Sequence, residues 1–186
     1  METSLNWETG DSLQVFGIDP GIVHTGLVEL GWDFHSQELR ITARSVDGIT
    51  EQSVIELGRC IQRRMWRKSN IIVEEYRPKS HFSTDTKMVE GQAMLKLHLP
   101  SAKIINNSGV KSIVTKELLQ LLDLYDWPTT HHNDLRSAAR IALLAMLRDE
   151  RANNRLAEFV GAALDNKAVL VVPGVPRSYP EACLRA

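Results

Sequence analysis

The sequence predicts an α/β fold, a mixed five-stranded sheet flanked by helices. Three observations carry that expectation. The chain opens with three short apolar segments joined by tight links, between Leu13 and Val46. The hydrophobic period then switches to helical spacing. After the switch, helix-like and strand-like segments alternate, as the crossovers of a sheet with helices on its faces require.

Leu13 to Asp19 (LQVFGID) is an apolar run stopped by Asp-Pro-Gly, a strong turn signal, and it reads as the first strand. Thr25 to Leu30 (TGLVEL) reads as the second, with Gly31, Trp32 and Asp33 beginning the next turn. Glu38 to Val46 alternates Leu39, Ile41 and Ala43 with polar neighbours and slips only at Ser45-Val46, the pattern of a half-exposed third strand. Val54, Leu57, Ile61 and Met65 then fall on one face of a helix. Ile71-Ile72-Val73 is a buried strand running into Glu74-Glu75. A second helix is expected from about residue 84 to Leu97, ended by Pro100, and Ala102 to Ile105 is a short strand. Val110, Ile113, Val114, Leu118, Leu121, Leu122 and Tyr125 make an apolar stripe on one long helix, which Trp127-Pro128 stops. The last helix is expected from Asp134 to Arg148, with Leu135, Ala138, Ala142 and Met146 on its inner face. The order is β-β-β-α-β-α-β-α-α. One domain over residues 1–164 is expected, followed by a Pro-rich tail over 165–186.

Composition narrows the function. The chain has 186 residues, 43% hydrophobic and 24% charged, ordinary values for a globular domain with a real core. It holds no apolar run of about 18 residues, so a membrane span is not expected, and its acidic N-terminus lacks the apolar centre of a secretory signal. Cys60 and Cys183 have no metal-ligand spacing and read as reduced thiols in a cytoplasmic protein. A net charge of −1 argues against a protein that coats nucleic acid indiscriminately. The charge is uneven, however. Arg59, Arg63, Arg64, Arg67 and Lys68 crowd into ten residues, and Arg77, Lys79 and Lys87 follow.

Four groups from distant parts of the chain could share one site. Asp19 ends the first strand, Glu74 ends the fourth, Asp134 opens the last helix, and His131 precedes it by three residues. If the first and fourth strands are parallel neighbours, their carboxyl ends lie side by side, where ligands of open α/β sheets bind. Phosphodiester hydrolysis needs an activated water and charge stabilisation on the phosphate and the leaving oxygen. A pair of divalent ions about 3.5–4 Å apart supplies both, held by carboxylates. Singly, each residue also fits a plain role: turn residue, exposed strand residue, helix cap or loop histidine.

Three segments, in order, resemble the RuvC-type Holliday junction resolvases of the ribonuclease H-like superfamily. VFGIDPGIVHTGLVEL is similar to the first motif of that family. IIVEEYRPK resembles its second acidic motif, and HHNDLRSAARIALLAML its last. Gly91-Gln92-Ala93 also resembles a stretch between them. The resemblance spans Val15 to Met146, and the unfamiliar C-terminal segment looks more like that of a bacteriophage-encoded relative. It implies a ribonuclease H-like fold and a metal-dependent endonuclease that cleaves four-way junctions and other branched DNA in recombination and repair, leaving 5′-phosphates. Asp19, Glu74, His131 and Asp134 would be both catalytic residues and metal ligands. The metal would be Mg²⁺, with Mn²⁺ possible because of the imidazole, and two ions per site. Glu74 and Glu75 compete for one ligand position, since neighbouring strand residues face opposite ways, and alignment favours Glu74. Arg63, Arg64, Arg67, Lys68 and Lys79 are candidate phosphate contacts, and Lys111 and Lys116 stand where the family has functional lysines. A homodimer is implied, with residues 81–99 as its contact, because a two-fold axis places two sites on two symmetric strands. The rival readings are an RNA-processing nuclease of the same superfamily, a non-catalytic junction binder, and a structural or interaction module.

Overall fold

The computed structural model describes residues 12–34, 38–65, 69–76, 85–106 and 108–149. The sheet comprises β1 (Ser12–Asp19), β2 (His24–Asp33), β3 (Glu38–Asp47), β4 (Asn70–Glu74) and β5 (Lys103–Ile105). The helices are α1 (Glu51–Arg64), α2 (Thr86–His98), α3 (Val110–Ile113), α4 (Lys116–Leu121) and α5 (His132–Leu147). The strand order is β3-β2-β1-β4-β5. β1, β2 and β3 form an antiparallel meander, whereas β4 runs parallel to β1, and β5 parallel to β4. The mixed sheet therefore follows the expectation.

Both faces of the sheet are covered, and strand parity shows how. On β1, Leu13 and Val15 enter one core while Phe16 and Ile18 enter the other. The first core lies under α5, α3, α4 and the segment carrying Leu124 and Trp127. The second lies under α1 and α2, and includes Val54, Leu57, Ile61, Met88 and Leu95. The apparent slip at Ser45-Val46 in β3 is no break of phase. Leu39, Ile41 and Ala43 face the α5 side, and with the pairing to β2 unbroken, ordinary alternation puts Val46 on the α1 side, where Ile49 and Val54 also lie.

Three expectations change. The single long helix over 110–125 is two short ones. Thr115 has an extended backbone, and its hydroxyl accepts the amide of Leu118, starting α4 afresh. The Val114 carbonyl instead accepts a bond from Arg140 Nε at 3.1 Å. Met65 is not on the inner face of α1. It is the residue on which that helix ends, and it stands exposed. Finally, α5 begins at His132, with His131 as its cap and Asp134 in its first turn. Its burial goes beyond the expected stripe and includes Ala139, Ile141, Leu143 and Leu144. Leu119, Leu122 and Trp127 belong to the same core, which gives the helix cover beyond the sheet. Residues 150–186, and with them the expected tail, lie outside the described residues. Among the described residues no helix is long and apolar enough to cross a membrane.

Candidate active site

Strand register brings the first two carboxylates together. β1 and β4 pair in parallel with Ile18 opposite Val73, so Asp19 and Glu74 are the next residues of adjacent strands. Asp19 has the parity of Leu13 and Val15, and Glu74 that of Ile72; all three of these apolar residues lie in the core on the α5 side. That parity assigns Glu74, rather than Glu75, to the face of Asp19.

The third carboxylate arrives with α5, and two glycines let it approach. Gly26 pairs with Asp19 across β1 and β2. A Cβ built on Gly26 would stand 2.5 Å from the backbone oxygen of Asp134, and one on Gly17 would stand 2.2 Å from that of Ala138. The first turns of α5 thus rest directly on bare backbone of β2 and β1, a closeness no larger residue permits. Ser137, one turn beyond Asp134, is hydrogen-bonded to the Asp19 side chain.

The electrostatics follow from this crowding. Burial, the nearby Glu74 charge, a hydrogen bond with Glu74 and the Asp134 charge push Asp19 up to about 8, while the Ser137 hydroxyl pulls the other way. Asp19 therefore holds its proton at neutral pH, beside Glu74. Burial also raises Asp134, and His24, His131 and His132 oppose that shift. Arg140, two turns along α5 from Asp134, interacts electrostatically with Glu74. Among the described residues no group of three or more His, Cys, Asp or Glu side chains is already set to clasp a metal ion.

His131 reaches the cluster from the cap of α5. Its ring centroid is 3.6 Å from that of His24, with the rings tilted by 45°. Sequence reasoning gave no role to three neighbours. His24 stands two residues before the glycine paired with Asp19. Ser137 is three residues beyond Asp134, and that helical spacing could have flagged it. Gln92 Nε2 donates to the Glu74 backbone oxygen at 2.7 Å, tying α2 to the end of β4.

The candidate cationic residues do not converge. Lys111 lines an open cleft with a volume of about 660 Å³ that Asp19, Glu74, Tyr76, Met88 and Asn106 also border. Lys116 lies over the Tyr125 ring, 5.1 Å from its centroid. Arg63 and Arg64 end α1, whose last turn lies by Gln14, at the opposite end of β1 from Asp19: Gln14 Nε2 donates to the Arg64 backbone oxygen at 2.9 Å. Arg64 is also ion-paired with Glu29 at 3.1 Å. Arg67, Lys68 and Lys79 lie outside the described residues.

No family model and no curated relative matches the sequence. Solved structures do match the fold. Thermus thermophilus RuvC aligns with a TM-score of 0.54 and 20% identity, over 70% of this chain and 92% of that one. The same enzyme in complex with a Holliday junction substrate aligns at 0.52 and 20%, over 70% and 90%. The yeast mitochondrial Holliday junction resolvase aligns at 0.50 and 15%, over 82% and 83%. The chain therefore has the ribonuclease H-like fold of the RuvC resolvases.

Proposed function

We propose that this chain is a divalent-metal-dependent endonuclease that cleaves four-way junctions and other branched DNA by phosphodiester hydrolysis, leaving 5′-phosphate ends. The observation that carries the proposal is the convergence of Asp19, Glu74 and Asp134, from two strand ends and the first turn of α5. Three carboxylates crowded closely enough to keep Asp19 protonated are costly to bury, and a bound cation relieves that cost. The likeness in fold to resolvases, one of them solved on its junction, supports branched DNA as the substrate class.

The donor set fits a hard divalent cation, because its oxygens are carboxylates and its one imidazole is compatible with Mn²⁺ as well as Mg²⁺. Asp19, Glu74, Asp134 and His131 would hold it, with two ions per site. Such ions supply a nucleophilic water at neutral pH and stabilise charge on the phosphate and the leaving oxygen. The remaining work belongs to the chain. The Ser137 hydroxyl holds the Asp19 carboxylate. Gln92 fixes the backbone of Glu74. Lys111, at the wall of the cleft, offers a point charge to a backbone phosphate. Arg63, at the far end of the sheet, is placed to meet DNA well away from the scissile bond.

A homodimer belongs to the same proposal. α2 buries Met88 and Leu95 against the core, yet Val89, Ala93 and Leu97 form an exposed stripe at i, i+4 and i+8. Glu90 and Lys96 flank Ala93 symmetrically, so two copies of α2 crossing antiparallel at Ala93 would pair each Glu90 with the other chain's Lys96. A cytoplasmic setting, in a prokaryote or a phage-infected cell, completes the picture. The test is cleavage of a labelled four-way junction, a linear duplex and a structured RNA side by side, with Mg²⁺, Mn²⁺ or EDTA. Metal-dependent cutting of the junction alone is expected. Preference for the RNA would overturn the substrate class, and junction binding without cutting would leave a binder.

A further inference from the structure

We propose that His24 is a positioning residue, whose imidazole packs on that of His131 and holds the His131 ring at Asp134. This rests on His131 and Asp134 being metal ligands. The rings are in contact, with centroids 3.6 Å apart. The two histidines are anchored very differently. His24 is the first residue of β2, paired in register with Asp47 of β3, and its backbone is set by the sheet. Its Nδ1 lies 3.9 Å from the exposed Asp47 carboxylate. His131 caps α5 with a non-helical backbone, and its side chain makes no capping bond. The hydroxyl of Thr130, on the same turn, stands 3.3 Å from its Nε2. The rigid neighbour that fixes the His131 ring is therefore the one presented by the sheet.

Packing of one flat ring on another needs no nitrogen, which separates this role from ligation. A phenyl ring at position 24 should keep His131 in place, whereas a methyl group should free it. Groups that orient a metal-bound imidazole typically matter by about 10–100-fold in affinity. The experiment is Mn²⁺ binding to the full metal-free chain without DNA, followed by electron paramagnetic resonance at pH 8.5, with circular dichroism confirming each fold. His24→Phe should bind within about twofold of wild type, and His24→Ala about tenfold more weakly. In a His131→Ala background, His24→Ala should change nothing further, because its effect runs through that ring. Equal weakening with and without His131 would overturn positioning and leave a general structural effect. His24→Phe as weak as His24→Ala would overturn it in favour of direct ligation by His24. Wild-type affinity in His24→Ala would remove His24 from the site. Absence of Mn²⁺ binding by wild type would instead bring down the metal-site reading itself, and the positioning role with it.

Discussion

Replacing Asp19 with Asn should stabilise the metal-free protein at alkaline pH relative to wild type. Burial, Glu74 and Asp134 raise the Asp19 carboxyl from 3.8 to about 8. A carboxyl whose pKa is raised on folding holds its proton more tightly in the folded chain. Its contribution to stability is therefore fully present below the unfolded value and is lost as pH rises through the folded value. The window runs from about pH 4 to about pH 8. A gap of about four units, at about 1.4 kcal/mol each, sets a ceiling near 6 kcal/mol. Because Glu74 is coupled to Asp19, and water and side chains relax around the charge, a fall of about 2–4 kcal/mol is expected. An asparagine side chain cannot ionise and lacks this slope. The titrations of groups away from the site are common to both proteins, so the difference between their stability curves reports Asp19 together with the Glu74 and Asp134 carboxyls coupled to it. Urea unfolding in EDTA at pH 4.5, 6.5 and 8.5, followed by far-ultraviolet circular dichroism, measures it. Wild type should lose stability relative to the Asp19→Asn variant as pH rises, and a divalent ion at pH 8.5 should restore wild type more than the variant. Parallel curves from pH 4.5 to 8.5 would refute the claim that Asp19 is held protonated by burial and by its neighbours.

Gly17→Ala should lift α5 off β1, since the new Cβ would meet the Ala138 carbonyl at 2.2 Å. The cost of such overpacking is about 1–3 kcal/mol, read as a lower midpoint of thermal unfolding. Glu74→Gln should abolish cutting while Glu75→Gln keeps most of it, in a junction-cleavage assay run on both; the reverse would place the wrong strand face in the site. Leu97→Glu should convert a dimer to a monomer in sedimentation equilibrium, and an unchanged mass would move the interface off α2.

Much of this was legible in the sequence because it is written in short-range pattern. Period-two alternation placed the strands, the Asp-Pro-Gly turn ended β1 at Asp19, and the bare Ile71-Ile72-Val73 run ended at Glu74. The break between α3 and α4 was hidden because the stripe from Val110 to Tyr125 keeps helical spacing across it. The competing signal was Thr115, a good cap whose effect depends on Arg140 taking the Val114 carbonyl from another helix. Periodicity assigned the face of α1 but could not tell which end of the sheet its basic residues would occupy; β3 brings the chain to the Asp19 end, and α1 then runs back and carries Arg63 and Arg64 away from it. His24, Ser137 and Gln92, the last named only within a stretch resembling the family, were given no role because each matters through a contact with a distant element, which strand register and helix docking create.

The central claim is that Asp19, Glu74 and Asp134 act as one unit on a phosphodiester. Single-turnover cleavage of a four-way junction in Mg²⁺ by Asp19→Asn, Glu74→Gln and Asp134→Asn, each also scored for junction binding, tests it most directly. All three variants should bind the junction and none should cut it. The double variants should be no worse than the singles, because residues that act together are not additive. A folded variant that cuts at the wild-type rate, or wild-type cutting undiminished by EDTA, would contradict the account.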